Sequence, residues 1–440
     1  MLISFAAANH RSILDRIELS LVAEARPTGN SRASLRVPGF DLDVVPAVAL
    51  LGANGVGKSN VLDALRFISN AVEFSHNSWH PKEPPPRTPF RRKNGPDLTP
   101  SSYEVVFAVG GAVYEYAFEV GPVRVERETL DVFERGPRSR ARLFERSSTP
   151  TGEAEVRAGR RLMGPRAAAI AATRPESLFL SAAAQNNHGQ LTPIWSWIAK
   201  SCTYIGPSDG PRGSYSTDRA FLDGDDDLKQ RLREFLASAD LGIADVAVTE
   251  EAMPEEDVSR IRRIIAAAVP DEAEDLRVDD WSLPRTVFGH RGLVGNLELD
   301  HESAGTQAWY QWAGPVIEAL DSGTVLAADE LDAHLNDHLA SQIVAGFQSP
   351  ATNGRSAQLL FTAQDPAVVT NAGLGRDQLW IVEKASAGTT ELTPATDFRG
   401  RREWDTGQAF RHGRYGGLPV IDTPSLRRVL AGGEPDAPPR

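Results

Sequence analysis

The chain has 440 residues, 41% of them hydrophobic, enough for a large core in one big domain or two lobes. Its net charge of −12 argues against a surface that coats nucleic acid generally, while leaving room for a local basic patch. The single cysteine, Cys202, excludes an internal disulfide, and no apolar run makes a signal peptide or approaches membrane-spanning length, so a cytoplasmic protein without a membrane partner is expected.

In chain order, ISFAAANH, SILDRIELSLV and VVPAVALLG read as strands. A helix is expected from about Ser59 to Glu73, because Val61, Leu62, Leu65, Ile68 and Val72 share one face. The proline-rich, basic HPKEPPPRTPFRRKNGP is a loop, and SYEVVFAVGGAVYEYAFEV reads as a hairpin turning at Gly110 and Gly111. From about Leu130 to Arg166 the periodicity weakens, and SLFLS (Ser177–Ser181) reads as a strand. LTPIWSWIAK, DDLKQRLREFLASA and SRIRRIIAAAV read as helices between acidic loops. VFGH, LELD, TVLAADE, AQLLFTA and DQLWIVEK then restore alternation of strands and helices, and the tail AGGEPDAPPR is too polar to fold alone. The expected layout is an N-terminal ATPase lobe with a β subdomain over 1–192 and a helical insertion over 193–286. A C-terminal ATPase lobe over 287–420 and a flexible tail over 421–440 complete it.

Residues 52–59, GANGVGKS, match G-x-x-x-x-G-K-[ST] in full, behind an apolar strand and ahead of an amphipathic helix. Gly52, Gly55 and Gly57 let backbone N–H groups curl around phosphates, with Asn54 and Asn60 in and beside the loop. Lys58 reaches the β/γ oxygens, and the helix dipole favours the anion. The pattern implies ATP, with Mg²⁺ on the Ser59 hydroxyl. In GTVLAADELDAHLN a buried strand delivers two carboxylates: Asp329 to hold Mg²⁺ and Glu330 to orient or deprotonate the attacking water.

About 270 residues separate Lys58 from Asp329, more than compact AAA+ or RecA-type cores place there, whereas ABC-type heads tolerate such insertions. ESAGTQ, upstream of the second motif, opens a helix with small residues. Ser303, Ala304 and Gly305 could therefore donate N–H groups to a γ-phosphate held by another subunit.

FAAANHRSI, GANGVGKSN, SLFLSAAAQ, ESAGTQ, VLAADELDAHLN, LLFTAQDPAVV, DQLWIVEK and GRYGGLPVI occur in an order that resembles the SMC-like and OLD-like ABC-type ATPases of bacterial abortive-infection and anti-phage operons. The resemblance covers most of the chain and implies an α/β ABC-type head: mixed central sheet, antiparallel β subdomain and helical lobe. It implies an ATP-sandwiched homodimer or larger assembly. It also implies a separately encoded nuclease-like or Toprim-like effector, and a phage protein or nucleic acid as trigger. By position, Arg11 approaches nucleotide phosphates, Gln185 is the Q-loop glutamine that touches Mg²⁺, and Asp332 lies in the D-loop at the dimer interface.

Rival readings are a RecF-like DNA repair ATPase with the same head and a stand-alone nuclease using LDGDDD near Asp225, where an acidic helix cap is the simpler account. The basic stretches RTPFRRK, RSRARLFERS and GRRLMGPR could line a nucleic-acid path but lack interleaved aromatics, so solvated loops are expected. His290, His301, His334 and His338 make no ligand set with cysteine. Residues after GRYGGLPVI are too few for a fused Toprim domain, and no long heptad arm is present.

One departure from the family pattern has a chemical consequence. After LLFTA, where a histidine usually contacts the γ-phosphate, stands Gln364, which donates a hydrogen bond but carries no proton charge near neutral pH. Slow hydrolysis with intact nucleotide binding is expected, and Gln364→His should raise steady-state turnover. Equal turnover in the two proteins would contradict this.

Overall fold

The computed structural model describes residues 1–24, 34–91, 98–134, 136, 139–149, 151–206, 212–253, 255–268, 282–292, 294–398, 405–418 and 422–431. The chain starts with β1 (Leu2–Ala8), β2 (Ile17–Ser20), β3 (Leu35–Arg36), β4 (Asp43–Val44), β5 (Ala47–Leu51) and α1 (Lys58–Phe74). There follow β6 (Ser101–Val109), β7 (Ala112–Val120), β8 (Val125–Phe133), β9 (Ala141–Ser148), β10 (Ala154–Ala158), α2 (Ala167–Ala172), α3 (Phe179–Gln185) and α4 (Leu191–Lys200). The middle holds β11 (Cys202–Ile205), α5 (Arg212–Asp223), α6 (Asp226–Ala237), β12 (Ile243–Ala252), α7 (Glu255–Ala268), β13 (Ser282–His290) and β14 (Asn296–Glu298). Then come α8 (Ala304–Ser322), β15 (Val325–Ala328), α9 (Asp337–Gln348), β16 (Gln358–Thr362), α10 (Ala367–Asn371), β17 (Leu379–Lys384), β18 (Thr390–Pro394), α11 (Thr406–Arg411) and α12 (Thr423–Leu430).

A six-stranded sheet in the order β11-β15-β16-β5-β17-β18 is parallel except for its last pair. Its inner strands β5, β15 and β16 are buried throughout and nearly all apolar, because both faces are covered. On β5, Val48 and Leu50 join a core with Leu62, Leu65 and Ile68 of α1 and with the antiparallel sheet. The alternate Ala47, Ala49 and Leu51 join a second core with Trp312 and Val316 of α8 and Ile343 and Phe347 of α9. Each such fully buried Val, Leu or Ile contributes about 1.5–3 kcal/mol, so sheet and helices hold each other in register.

The antiparallel sheet runs β10-β9-β8-β7-β6-β1-β2. Its β6–β7 turn closes at Gly110 and Gly111, both at positive φ (60° and 79°), as a two-residue hairpin connection favours.

Several local readings are corrected here. The irregular stretch after Leu130 contains β9 and β10. Three of its arginines are engaged in the sheet: Arg140 and Arg142 pair with Asp131, and buried Arg146 donates to the carbonyls of Val125 and Pro175. SLFLS is the entry to α3, not a strand. The Glu128 carboxylate of β8 accepts the N–H groups of Phe179 and Leu180 (2.6 and 2.9 Å), a helix cap supplied from a distant strand. Among its described residues the helical stretch 193–286 also contains β11, which joins the central sheet, β12, and the start of β13, with which β12 pairs. In LELD only Leu297 and Glu298 are strand, the end of β14, followed by a 3₁₀ turn at Leu299–His301.

Candidate active site at the phosphate loop

The loop between β5 and α1 is shaped by close approach. A Cβ on Gly52 would lie 2.2 Å from the Val382 carbonyl oxygen. Gly57 has φ 108°, and a Cβ there would lie 2.1 Å from Thr390 Oγ1, so only glycine fits. Gly55 also has positive φ (78°), with open space before it, and Asn54 is exposed. Lys58 Nζ donates to the loop's own carbonyls at Gly52 and Ala53 (2.8 and 3.2 Å). Burial lowers its pKa, against the carboxylates of Glu330, Asp329 and Asp332, which favour the charged form.

The turn carrying Arg11 packs on this loop, though by other atoms than expected. Asn60 Nδ2 donates to Ser12 Oγ (2.6 Å), Ser12 to Thr390 Oγ1 (2.7 Å), and Thr390 to the Val56 carbonyl (2.7 Å). The carbonyl can only accept, which fixes the direction of the whole relay. Asn60 thus braces the loop through its side-chain amide. Arg11 is half-exposed, has φ 50°, and places Nε 2.5 Å from Asp63 Oδ2 on α1. Burial would raise the Asp63 carboxyl, but His10 and Arg11 outweigh it and hold it below the usual range.

Asp329 and Glu330 follow β15, and β16 lies between β15 and β5. The Thr362 hydroxyl, at the end of β16, links them. It donates to Asp329 Oδ1 (2.7 Å) and accepts the Glu330 N–H (2.7 Å). Tyr204 OH on β11 reaches Asp329 Oδ2 at 3.3 Å. Glu330 has φ 53°, a left-handed conformation that is rare outside glycine and concentrates at functional sites. Gln364 Nε2 stands 3.3 Å from Glu330 Oε1. Asp332 Oδ2 accepts both the Gln364 and Asp365 N–H groups (2.8 Å each), tying the loop after β15 to the loop after β16 within one chain.

Ser303 caps α8, its Oγ accepting the Thr306 N–H at 3.1 Å. Ser303 and Ala304 are exposed, and a Cβ on Gly305 would lie 3.4 Å from the His334 carbonyl oxygen. This leaves the helix N-terminus open beside the loop that follows the acidic pair.

Gln185 is not part of this site. Its helix is bonded to the far end of α1, where Leu178 N–H reaches Ser75 Oγ and His76 N–H reaches Ser181 Oγ (3.3 Å each). The 17 residues of α1 put that end about 25 Å from the phosphate loop, and Gln185 is only about 6 Å of helix rise beyond Ser181. The loop next to Asp329 instead follows β11: Asp329 N–H donates to Ile205 O (2.7 Å), and a Cβ on Gly206 would lie 3.2 Å from the Asp329 Cβ. The residues continuing it, 207–211, lie outside the described ones. Asp225 caps α6 by accepting the Leu228 N–H at 2.9 Å, as the simpler reading expects.

Sequence reasoning missed Thr362, Tyr204, Ser12 and Thr390. Thr362 had a signal, a hydroxyl at the mouth of an apolar strand. Tyr204 had none while its strand was read as part of a helical segment.

A glycine-shaped loop carrying Lys58, with a carboxylate pair at the end of a neighbouring strand, is the framework of a P-loop protein. The chain belongs to the family described as "AAA domain, putative AbiEii toxin, Type IV TA system", which matches residues 47–370. No curated protein matches it. Solved structures similar to it include an SMC head domain from Thermotoga maritima, at 13% identity over 89% of this chain and 98% of that one, with a TM-score of 0.38. Another is an Smc head bound to the C-terminal winged-helix domain of ScpA, at 12% identity over 89% and 97%, with a TM-score of 0.46. A third, an Smc head with an extended coiled coil bound to the C-terminal domain of ScpA derived from Pyrococcus furiosus, has 12% identity over 89% and 95% and a TM-score of 0.38. These likenesses are too distant to carry a functional conclusion. Among the described residues no helix is long and apolar enough to cross a membrane.

Thr362→Val keeps the shape of β16 but removes the hydroxyl that holds both carboxylates. Turnover should fall at least about tenfold while ATP binding persists. Nucleotide titration beside a steady-state assay reads both, and unchanged turnover would count against the bridge.

Proposed function

We propose that the protein binds and hydrolyses ATP, and that it uses this cycle to associate with itself and to control a separate effector. The observation that carries this reading is the arrival of Lys58, Asp329, Glu330 and Gln364 at the carboxyl ends of the neighbouring strands β5, β15 and β16, where Gln364 is bonded to Glu330 and Thr362 to Asp329. Backbone N–H groups of the phosphate loop and Lys58 would bind the phosphates. The donor set fits a hard divalent cation: the exposed Ser59 hydroxyl and the Asp329 carboxylate are both oxygen ligands of the kind Mg²⁺ takes alongside substrate phosphates. Bound there, Mg²⁺ would neutralise charge on the transferred phosphoryl group. Glu330 would take a proton from the attacking water, and Gln364, bonded to it, would orient that water by donating a hydrogen bond rather than by carrying charge.

The exposed N-terminus of α8 at Ser303–Gly305 would close over the γ-phosphate of a second copy, giving an ATP-sandwiched homodimer or a larger assembly. In the cell we place this cycle in the cytoplasm, as a sensor in anti-phage, abortive-infection defence. The family's description as a toxin of a toxin–antitoxin system supports that setting. The effector would be nuclease-like or Toprim-like, and the trigger a phage protein or nucleic acid.

Light scattering of purified protein tests the cycle. With ATP and Mg²⁺ the mass should at least double, and Glu330→Gln, which binds but does not hydrolyse, should hold the larger form longer. A mass indifferent to nucleotide in both proteins would overturn the sandwich.

A further inference from the structure

We propose that Lys384 and Thr390, on the hairpin of β17 and β18, are positioning residues that set the phosphate loop from its outer side. The inference rests on the reading of that loop as an ATP site. A peptide unit is planar and trans, so the carbonyl of one residue and the N–H of the next point in opposite directions. Holding a carbonyl outward therefore aims the following N–H inward. Lys384 Nζ donates to the Gly55 carbonyl (3.2 Å), and Thr390 Oγ1 donates to the Val56 carbonyl (2.7 Å). The N–H groups aimed by these two contacts are those of Val56 and Gly57, in the part of the loop that must wrap an anion.

The brace is needed because of the glycines. Gly55 and Gly57 both sit at positive φ, and glycine peptides have more backbone freedom to lose than any other residue's. Without an outer partner, the peptide linking Gly55 to Val56 would be free to turn its N–H away. The hairpin is well placed to prevent this. β17 runs parallel to β5 with Ile381 opposite Leu51, which brings the end of β17 level with the loop. Thr390 is itself fixed by Ser12, whose backbone carbonyl accepts the Thr390 N–H at 2.8 Å.

Lys384 is exposed, but its strand end is anchored. The neighbouring Glu383 Oε1 accepts the Gly417 N–H at 2.8 Å, and a Cβ on Gly416 would lie 2.6 Å from the same oxygen. The motif GRYGG near the C-terminus thereby gains a role: its glycine turn packs on the residue beside Lys384. Lys58 differs from both braces, because it bonds carbonyls from the side on which phosphate would arrive and is expected to exchange them for phosphate oxygens.

The test is calorimetric titration of ATP–Mg²⁺ and of ADP into wild type, Lys384→Met and Lys384→Arg, with thermal melts and turnover at saturating ATP. Lys384→Met should weaken ATP and ADP alike by about three- to tenfold, with an unchanged melt and saturated turnover within about twofold of wild type. Lys384→Arg, which can still donate to Gly55, should recover most of the affinity. Unchanged affinity in Lys384→Met would overturn the proposal, as would lost turnover at unchanged affinity. A loss much larger for ATP than for ADP would also overturn it, because that pattern marks a direct γ-phosphate contact. Failure of the wild type to bind either nucleotide would instead remove the ATP reading beneath it.

Discussion

Side-by-side parallel pairing of β5, β16 and β15 is the constraint on which the rest of the molecule depends. It sets Leu50 opposite Thr362 and Ala328 opposite Phe361, so three loops leave the sheet side by side at the carboxyl ends of the strands. Residues hundreds of positions apart in sequence meet there, and each strand contributes a different chemistry: a glycine-shaped loop, a bridging hydroxyl and a carboxylate pair. The two cores on either side of the sheet keep the strands from sliding. A one-residue slip would exchange Val48 and Leu50 for Ala47, Ala49 and Leu51 and mismatch both faces at once.

Around those strand ends, polar groups are joined in two networks. Asn60, Ser12, Thr390 and Val56 form one relay, and Glu330, Thr362 and Asp329 form another. Such networks are strong when every member has a partner and costly when one is removed, because the orphaned group stays buried. The pattern suits a site built before its substrate arrives, with preorganisation supplied by the N-terminal turn, the β17–β18 hairpin and the end of β16.

Much of this was legible in the residues, for local physical reasons. The glycine spacing of 52–59, the apolar run before it and the one-sided helix after it are short-range features, and α1 falls within a residue of its expected start and end. The acidic pair after an apolar strand and the Ser303 cap are equally local. The illegible parts were those whose stabilising partner lies elsewhere in the chain. SLFLS looks like a strand because nothing near it announces the Glu128 carboxylate that caps α3. β9 looks like a turn-rich arginine segment because the acids that neutralise it, above all Asp131, sit on the neighbouring strand. β11 is only four residues long, and its place beside β15 is fixed by sheet order rather than by its own composition. Gln185 was misplaced for the same reason, since a motif position does not reveal which end of α1 its helix will meet.

The central claim is that one chain's phosphate loop is completed by another chain's Ser303–Gly305. Mixing two inactive proteins tests it most directly: Lys58→Ala, which spoils only the loop, and Ser303→Arg, which spoils only the helix N-terminus. If the sites are shared between subunits, a mixed pair contains one intact site, and ATPase activity should reappear on mixing although each protein alone is inactive. Activity in Ser303→Arg alone at the wild-type level, or none in the mixture, would contradict the account.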